Sequence, residues 1–314
     1  MDRRAVLVLG LLVGISVLSL GGSVWGESVA TEVETAWQNQ TPLGLSGVAL
    51  AILERPAGGY LAYWMGGMRG MTAASSSDGL AWSIEDGFSL PPLEPDQMTS
   101  TNPWVFATLD GRFRMIYEIQ DLSNNRRLYS AVSLDGLIFN AEGLVMAGGA
   151  EDLNPFDQAI FLSVPAGLRL ADGSLRMYFV STGDHTASAL SYDDGLSWLR
   201  DTGFRVSYGV DPAIVVLPEG GLRMIYVDWT EAYRVMRILY ADSADGLNFT
   251  YQGIIAATQN QAAMLIDPET IFTEDGALRL YYSYGSEEQT QIYTATAPGD
   301  WSLSLFPVNP PEGD

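Results

Sequence analysis

The residues that could do chemistry in this chain are few in type. Its one histidine, His185 in Thr182-Gly183-Asp184-His185, cannot assemble a histidine zinc cluster alone and is expected in a loop. No G-x-S-x-G turn is present, which excludes a Ser-His-Asp arrangement built on that elbow, and there is no cysteine. Carboxylates stand at two Asp-Pro steps, Asp211-Pro212 and Asp267-Pro268, and Glu269 follows two residues after Asp267. Side chains two apart on a strand share a face, so Asp267 and Glu269 are expected to reach one pocket. Glu118 and the pair Asp228-Trp229 each follow an aromatic strand and are placed to line a rim. The competing reading of Asp-Pro is local, because Asp before Pro at a strand start often caps a turn through its own backbone.

The elements that must position these residues are legible as repeats. Gly111-Arg112-Phe113-Arg114-Met115-Ile116-Tyr117 recurs from Gly173 to Phe179, from Gly221 to Tyr226 and from Gly276 to Tyr282, with a weaker copy from Gly58 to Trp64. Each is a glycine turn entering a short aromatic and apolar strand. A second block, Ser77-Asp78-Gly79-Leu80-Ala81-Trp82, recurs at Ser133 to Phe139, Ser191 to Trp198 and Ser243 to Phe249, and its fifth copy has decayed to Ala297 to Trp301. Its glycines lie 51 to 59 residues apart. A third block opens most units: Asn102-Pro103, Val164-Pro165, Asp211-Pro212 and Asp267-Pro268, with proline expected at a strand entrance. Five units of about 58 residues consume the chain after its first 26. No amphipathic helical period survives from residue 27 onward. The fold class expected is all-β, a five-bladed propeller of four-stranded antiparallel blades over 45–305. Residues 27–44 could supply a strand that closes the ring, and 306–314 form a tail.

Met1-Asp2-Arg3-Arg4, an uncharged run from Ala5 to Leu20 and Val24-Trp25-Gly26 read as a secretory signal peptide over 1–26. Bacterial secretion, to the periplasm, the cell surface or beyond, is the expectation, with no membrane span after signal removal. Without cysteine, stability must come from core burial and sheet pairing. All 16 basic residues are Arg, and against 38 acids the formal net charge is −22. Such a surface repels phosphate backbones, so nucleic acid is not an expected partner. The acids could hold a structural calcium ion, although no EF-hand spacing appears. No other cofactor is expected, and a monomer is.

These blocks resemble the five-bladed propeller glycosidases, the superfamily of glycoside hydrolase families 43, 32 and 68. The runs Asp211-Pro212 to Tyr226 and Asp267-Pro268 to Tyr282 are similar to its D-P…D-G…Y-Y repeat, and Ser191 to Trp198 also fits the Asp-box of sialidases. Sialidases match less well, since their six blades and arginine triad are not visible. The resemblance implies an exported carbohydrate-active protein whose blade-opening acids face a central funnel. There one acid protonates the leaving oxygen while another activates water or attacks the sugar. Carried over by motif, Asp211 and Asp267 are the candidate base and partner, and Glu269 the candidate acid. Asn102, Trp104, Glu118, Asp157, Asp228 and Trp229 are the candidate substrate contacts. The superfamily's base normally opens the first blade, where this chain has Leu45 to Leu50 and no acid. That departure supports the alternative, a non-catalytic propeller that binds a glycan or a protein.

Overall fold

The computed structural model describes residues 33–35, 38–66, 70–217, 220–230, 235–258, 263–273, 276–286 and 289–297. The expected signal segment, the C-terminal tail and most of the decayed fifth repeat (Pro298 to Trp301) lie outside the described residues. Five antiparallel sheets follow one another along the chain. Blade 1 consists of Val48–Glu54, Tyr60–Met65, Met71–Ser76 and Ser83–Ile84. Blade 2 is Gln97–Ala107, Phe113–Asp121, Arg126–Ser133 and Asn140–Met146. Blade 3 is Leu162–Arg169, Leu175–Ser181, His185–Ser191 and Leu199–Arg200. Blade 4 holds Gly209–Val216, Leu222–Asp228, Arg237–Ser243 and Thr250–Thr258, with Val33–Thr35 added outside. Blade 5 holds Met264–Phe272, Leu278–Ser286 and Gln289–Thr296, and its outer strand is Gln38–Ser46 from the start of the chain. Each inner strand packs against the inner strands of both neighbours, and the last packs against the first. The molecule is an all-β five-bladed propeller.

The core lies between blades rather than in one central mass. Leu61 and Tyr63 of blade 1 pack with Met115 and Tyr117 of blade 2, and Trp104 of blade 2 packs with Leu175 and Phe179 of blade 3. The Arg of the Arg-Met pairs stays within this framework. Arg114 pairs with Glu142, Arg176 with Asp201 and Arg223 with Asp242, each arginine reaching toward its own blade's outer part.

The Asp-Gly turns do two jobs. In blade 2 the Asp135 carboxylate accepts the N–H groups of Leu137 and Ile138 at 2.8 and 3.0 Å, while Ser133 Oγ accepts that of Gly136 at 2.9 Å. The same pattern holds around Asp78 and Asp245. The turn also latches the preceding blade. Tyr63 Oη donates to the Gly136 carbonyl, Tyr178 Oη to Gly246 and Tyr281 Oη to Gly79, at 2.8 to 2.9 Å. Glycine is needed for both reasons: φ is 71–78° at these three positions, and a Cβ on Gly136 would meet Leu61 at 2.7 Å and the Tyr63 hydroxyl at 3.0 Å.

Candidate functional site

Every inner strand carries the same irregularity. Ala49, Asn102, Val164, Asp211 and Asp267 all have φ between 46° and 60°, and at each the ladder to the second strand slips. These are β-bulges at equivalent places in the five blades, ringed around the propeller axis. Four of the five are followed by proline. The prolines therefore sit inside the inner strands rather than at their entrances, where the bulge has already broken the ladder and no N–H is required. Asn and Asp tolerate a left-handed backbone, whereas Val164 is a β-branched residue that ordinarily avoids it. The geometry is thus imposed by the ring, and the side chains vary within it.

The bulges line a small central cavity of about 20 Å³, room for about one water, together with Leu50, Ala166, Glu269 and the prolines. A larger cavity of about 220 Å³, lined by Leu168, Val216 and Leu222, contains none of these acids. In the ring the carboxylates clasp one blade to the next. Asp211 Oδ2 accepts the Asp267 N–H at 3.4 Å, and Asp267 Oδ2 accepts the Ala49 N–H at 2.8 Å, joining blade 4 to 5 and blade 5 to 1. Between blades 2 and 3, Asn102 Nδ2 donates to Glu118 Oε2 at 2.8 Å and to Ser163 Oγ at 3.3 Å, while the Ser163 hydroxyl also donates to Glu118. Local capping by Asp before Pro is therefore replaced by capping across the blade interface.

Burial sets the charge state of this ring. It lifts Asp211 well above the usual carboxylate range, and the neighbouring charges of Asp267 and, more weakly, Asp184 lift it further. Burial raises Asp267 to about 6, opposed by the Ala49 N–H. It raises Glu269 to about 7, opposed by the N–H groups of Thr270 (2.7 Å) and Ile52. Asp211 and Asp267 titrate as a pair rather than singly. Near neutrality the ring thus holds both protonated and ionised carboxyls, the condition acid/base chemistry needs. Among the described residues no group of three or more His, Cys, Asp or Glu side chains is arranged to hold a metal ion.

The structure brings Asp211, Asp267, Glu269 and Asn102 to one cavity. The bulge interrupts the strict alternation expected between Asp267 and Glu269, yet both line it. Three expected substrate contacts are displaced inward. Trp104 is buried between blades 2 and 3 against Phe106 and Trp198, because the bulge at Asn102 turns it into the interface. Glu118 is fully buried beneath Asn102 and Ser163, accepting a hydrogen bond from each, with Arg126 at 3.7 Å. Asp228 is buried, paired with Arg237 at 2.5 Å and accepting the Thr230 N–H and hydroxyl. Trp229 is half-buried against the core of blades 4 and 5. Asp157 is exposed in the loop before blade 3, accepting from Asn124 at 2.6 Å.

Asp184, which no repeat marks in the sequence, lies in the turn joining the second and third strands of blade 3. It is half-buried, its carboxyl is raised by burial, and its charge is felt at Asp211. Its only advance signal is the Gly183-Asp184 pair itself, which the sequence has at no other connection between second and third strands.

No protein-family model matches the chain, and no curated protein matches it. Solved structures do. An endo-arabinase from Bacteroides thetaiotaomicron superposes with a TM-score of 0.64 at 16% identity, covering 84% of this chain and 98% of that one. A GH43_1 enzyme from Xanthomonas citri complexed with xylose gives 0.63 at 13% identity over 85% and 92%. A native arabinanase from Bacillus subtilis gives 0.59 at 13% identity over 83% and 97%. The chain has the five-bladed propeller fold found in these family-43 glycoside hydrolases, and at this sequence distance its chemistry rests on its own residues.

Proposed function

We propose that this chain is an exported, carbohydrate-active propeller that takes a glycan over its central mouth and hydrolyses a glycosidic bond with the inner carboxyls. One observation carries the reading: Asp211, Asp267 and Glu269, from two adjacent blades, face one small cavity with their proton affinities lifted toward neutrality. Glu269, near 7, is suited to protonate the leaving oxygen. The Asp211–Asp267 pair, once ionised, is suited to activate water or to support the positive charge that develops on the sugar. The cavity is too small for a sugar ring, so the ring would lie across the mouth with only its scissile oxygen near the acids. Likeness in fold to arabinanases and to a xylose-binding enzyme supports a pentose-containing substrate. The basic start and uncharged run of the first 20 residues support secretion.

A second reading has its own observation. The first blade presents Ala49 where an acid would stand, and one oxygen of Asp267 is already engaged by the Ala49 N–H. A propeller that binds glycan without cleaving it fits that arrangement. Product release from arabinan, xylan and aryl-glycosides, with wild type beside Asp211→Asn, Asp267→Asn and Glu269→Gln, separates the two. Hydrolysis predicts release by the wild type that falls at least a hundredfold in Glu269→Gln. Binding alone predicts retention of the polysaccharide with no release.

A further inference from the structure

Because strands alternate in direction, the inner strand of each blade begins at the same end as the turn joining its second and third strands. In blade 3 that turn is Thr182-Gly183-Asp184, and beside it runs segment 201–208, which leads into the inner strand of blade 4 and on to Asp211. Three rings meet there. Phe204 stacks on His185 with centroids 4.4 Å apart and planes 28° from parallel, and Tyr208 meets the same imidazole at 4.9 Å. Phe204 is 43% exposed and Tyr208 54% exposed, so the stack presents aromatic surface to solvent rather than filling a core. Single exposed aromatics need no explanation, but a contiguous stack beside a mouth does.

The backbone shows that Tyr208 is held in this pose. Its φ is 56°, a left-handed conformation that strains a bulky residue. Burial of its side chain does little to offset that strain. Its N–H donates to His185 Nδ1 at 3.1 Å, and its carbonyl accepts the Trp229 N–H at 2.9 Å. Burial lowers the proton affinity of His185 and so favours the neutral ring. With Nδ1 accepting, its proton is assigned to Nε2, where it can be donated. Asp184 adjoins this stack in sequence, and no hydrogen bond or ion pair joins its carboxyl to another described residue. It lies close enough to Asp211 to raise it.

We infer that Phe204, His185 and Tyr208 form a sugar-stacking subsite on the lip of the mouth, with Asp184 of the adjoining turn as the acceptor for a sugar hydroxyl. This rests on the carbohydrate reading above. The flat C–H face of a sugar ring packs on exposed aromatic carbon, while its edge hydroxyls need polar partners, and the lip supplies both. A glycan seated there would run inward toward Asp211 and Glu269.

The test uses the chain's single histidine, whose imidazole signals need no further assignment in proton NMR of tag-free protein. Neutral pentose and hexose oligosaccharides are titrated in near pH 7, with affinities measured in parallel by calorimetry. The subsite predicts saturable movement of the His185 ring signals in wild type. It also predicts binding weakened about three- to tenfold in both Phe204→Ala and Tyr208→Gly. Tyr208→Gly suits the positive φ and is expected to keep the fold, which thermal melting checks. Oligosaccharide binding with unmoved His185 signals and unweakened variants overturns the subsite and leaves the carbohydrate reading standing. Absence of binding by any oligosaccharide to the folded wild type overturns both.

Discussion

The propeller carries two rings of aspartates that behave in opposite ways. In the outer ring, Asp78, Asp135, Asp193 and Asp245 sit in exposed hairpin turns. Backbone N–H groups around Asp78 and Asp135 hold those carboxyls below the usual range, chiefly by hydrogen bonding that favours the charged form. In the inner ring, Asp211, Asp267 and Glu269 are raised, chiefly by burial, and their hydrogen bonds only partly oppose the rise. The outer acids recur in four blades because each closes the same hairpin turn, and at three of those turns the glycine carbonyl also takes the tyrosine latch. The inner positions read Ala, Asn, Val, Asp and Asp on one unvarying bulge geometry. The bulge itself therefore does not require an acid, and Asp211 and Asp267 use theirs to clasp neighbouring blades.

The difference has a sign in pH. Carboxyls held below their ordinary value contribute stability above about pH 4, and that contribution is lost as pH falls. Carboxyls raised above it favour the fold in their protonated form, and that contribution is lost as pH rises through about 6 to 7. The inner ring therefore works against stability at alkaline pH, where the outer ring supports it.

The largest effect expected is on Glu269. Glu269→Gln should lower glycoside release at least a hundredfold while leaving the melting temperature at pH 8 equal to or above wild type, since a buried ionised carboxylate is gone. A lower melting temperature at pH 8 with activity intact would make Glu269 an outer-type, structural acid. Next is the clasp. Asp267→Ala strands the buried Ala49 N–H and should cost about 1–3 kcal/mol in urea unfolding at pH 6, with Asp267→Asn costing less because an acceptor remains. Smaller again, Tyr63→Phe removes one latch to the Gly136 carbonyl and should cost about 1 kcal/mol with no change in glycan binding. Smallest, Asp135→Asn should change stability little at pH 7 and flatten its decline between pH 5 and 3, read from melting temperatures.

How much was legible follows the same division. The glycine turns and Ser-x-Asp-Gly hairpins declare the blades because each copy solves the same local problem with the same residues. The Asp-Pro steps marked Asp211 and Asp267, since proline after a bulge leaves a trace. Blade 1 left none, because Leu50 stands where the other blades have proline. Trp104, Glu118 and Asp228 could not be placed from sequence, as their burial depends on the facing surface of a neighbouring blade or turn. Asp184, His185 and Tyr208 lie in segments that repeat nowhere, so no pattern singles them out. The latch from Tyr63, Tyr178 and Tyr281 to the next blade's glycine was also hidden. The repeat shows both partners, but only the ring shows that they meet.

Inner carboxyls that hold and release protons near neutrality to act at the mouth must leave their titration in the rate. The pH dependence of kcat/KM for glycoside release by the wild type reads that titration. A bell is expected, with activity rising as Asp267 ionises near pH 6 and falling as Glu269 loses its proton above about pH 7. A folded protein that releases no product between pH 4 and 9, or whose rate crosses pH 7 without an alkaline limb, would contradict it.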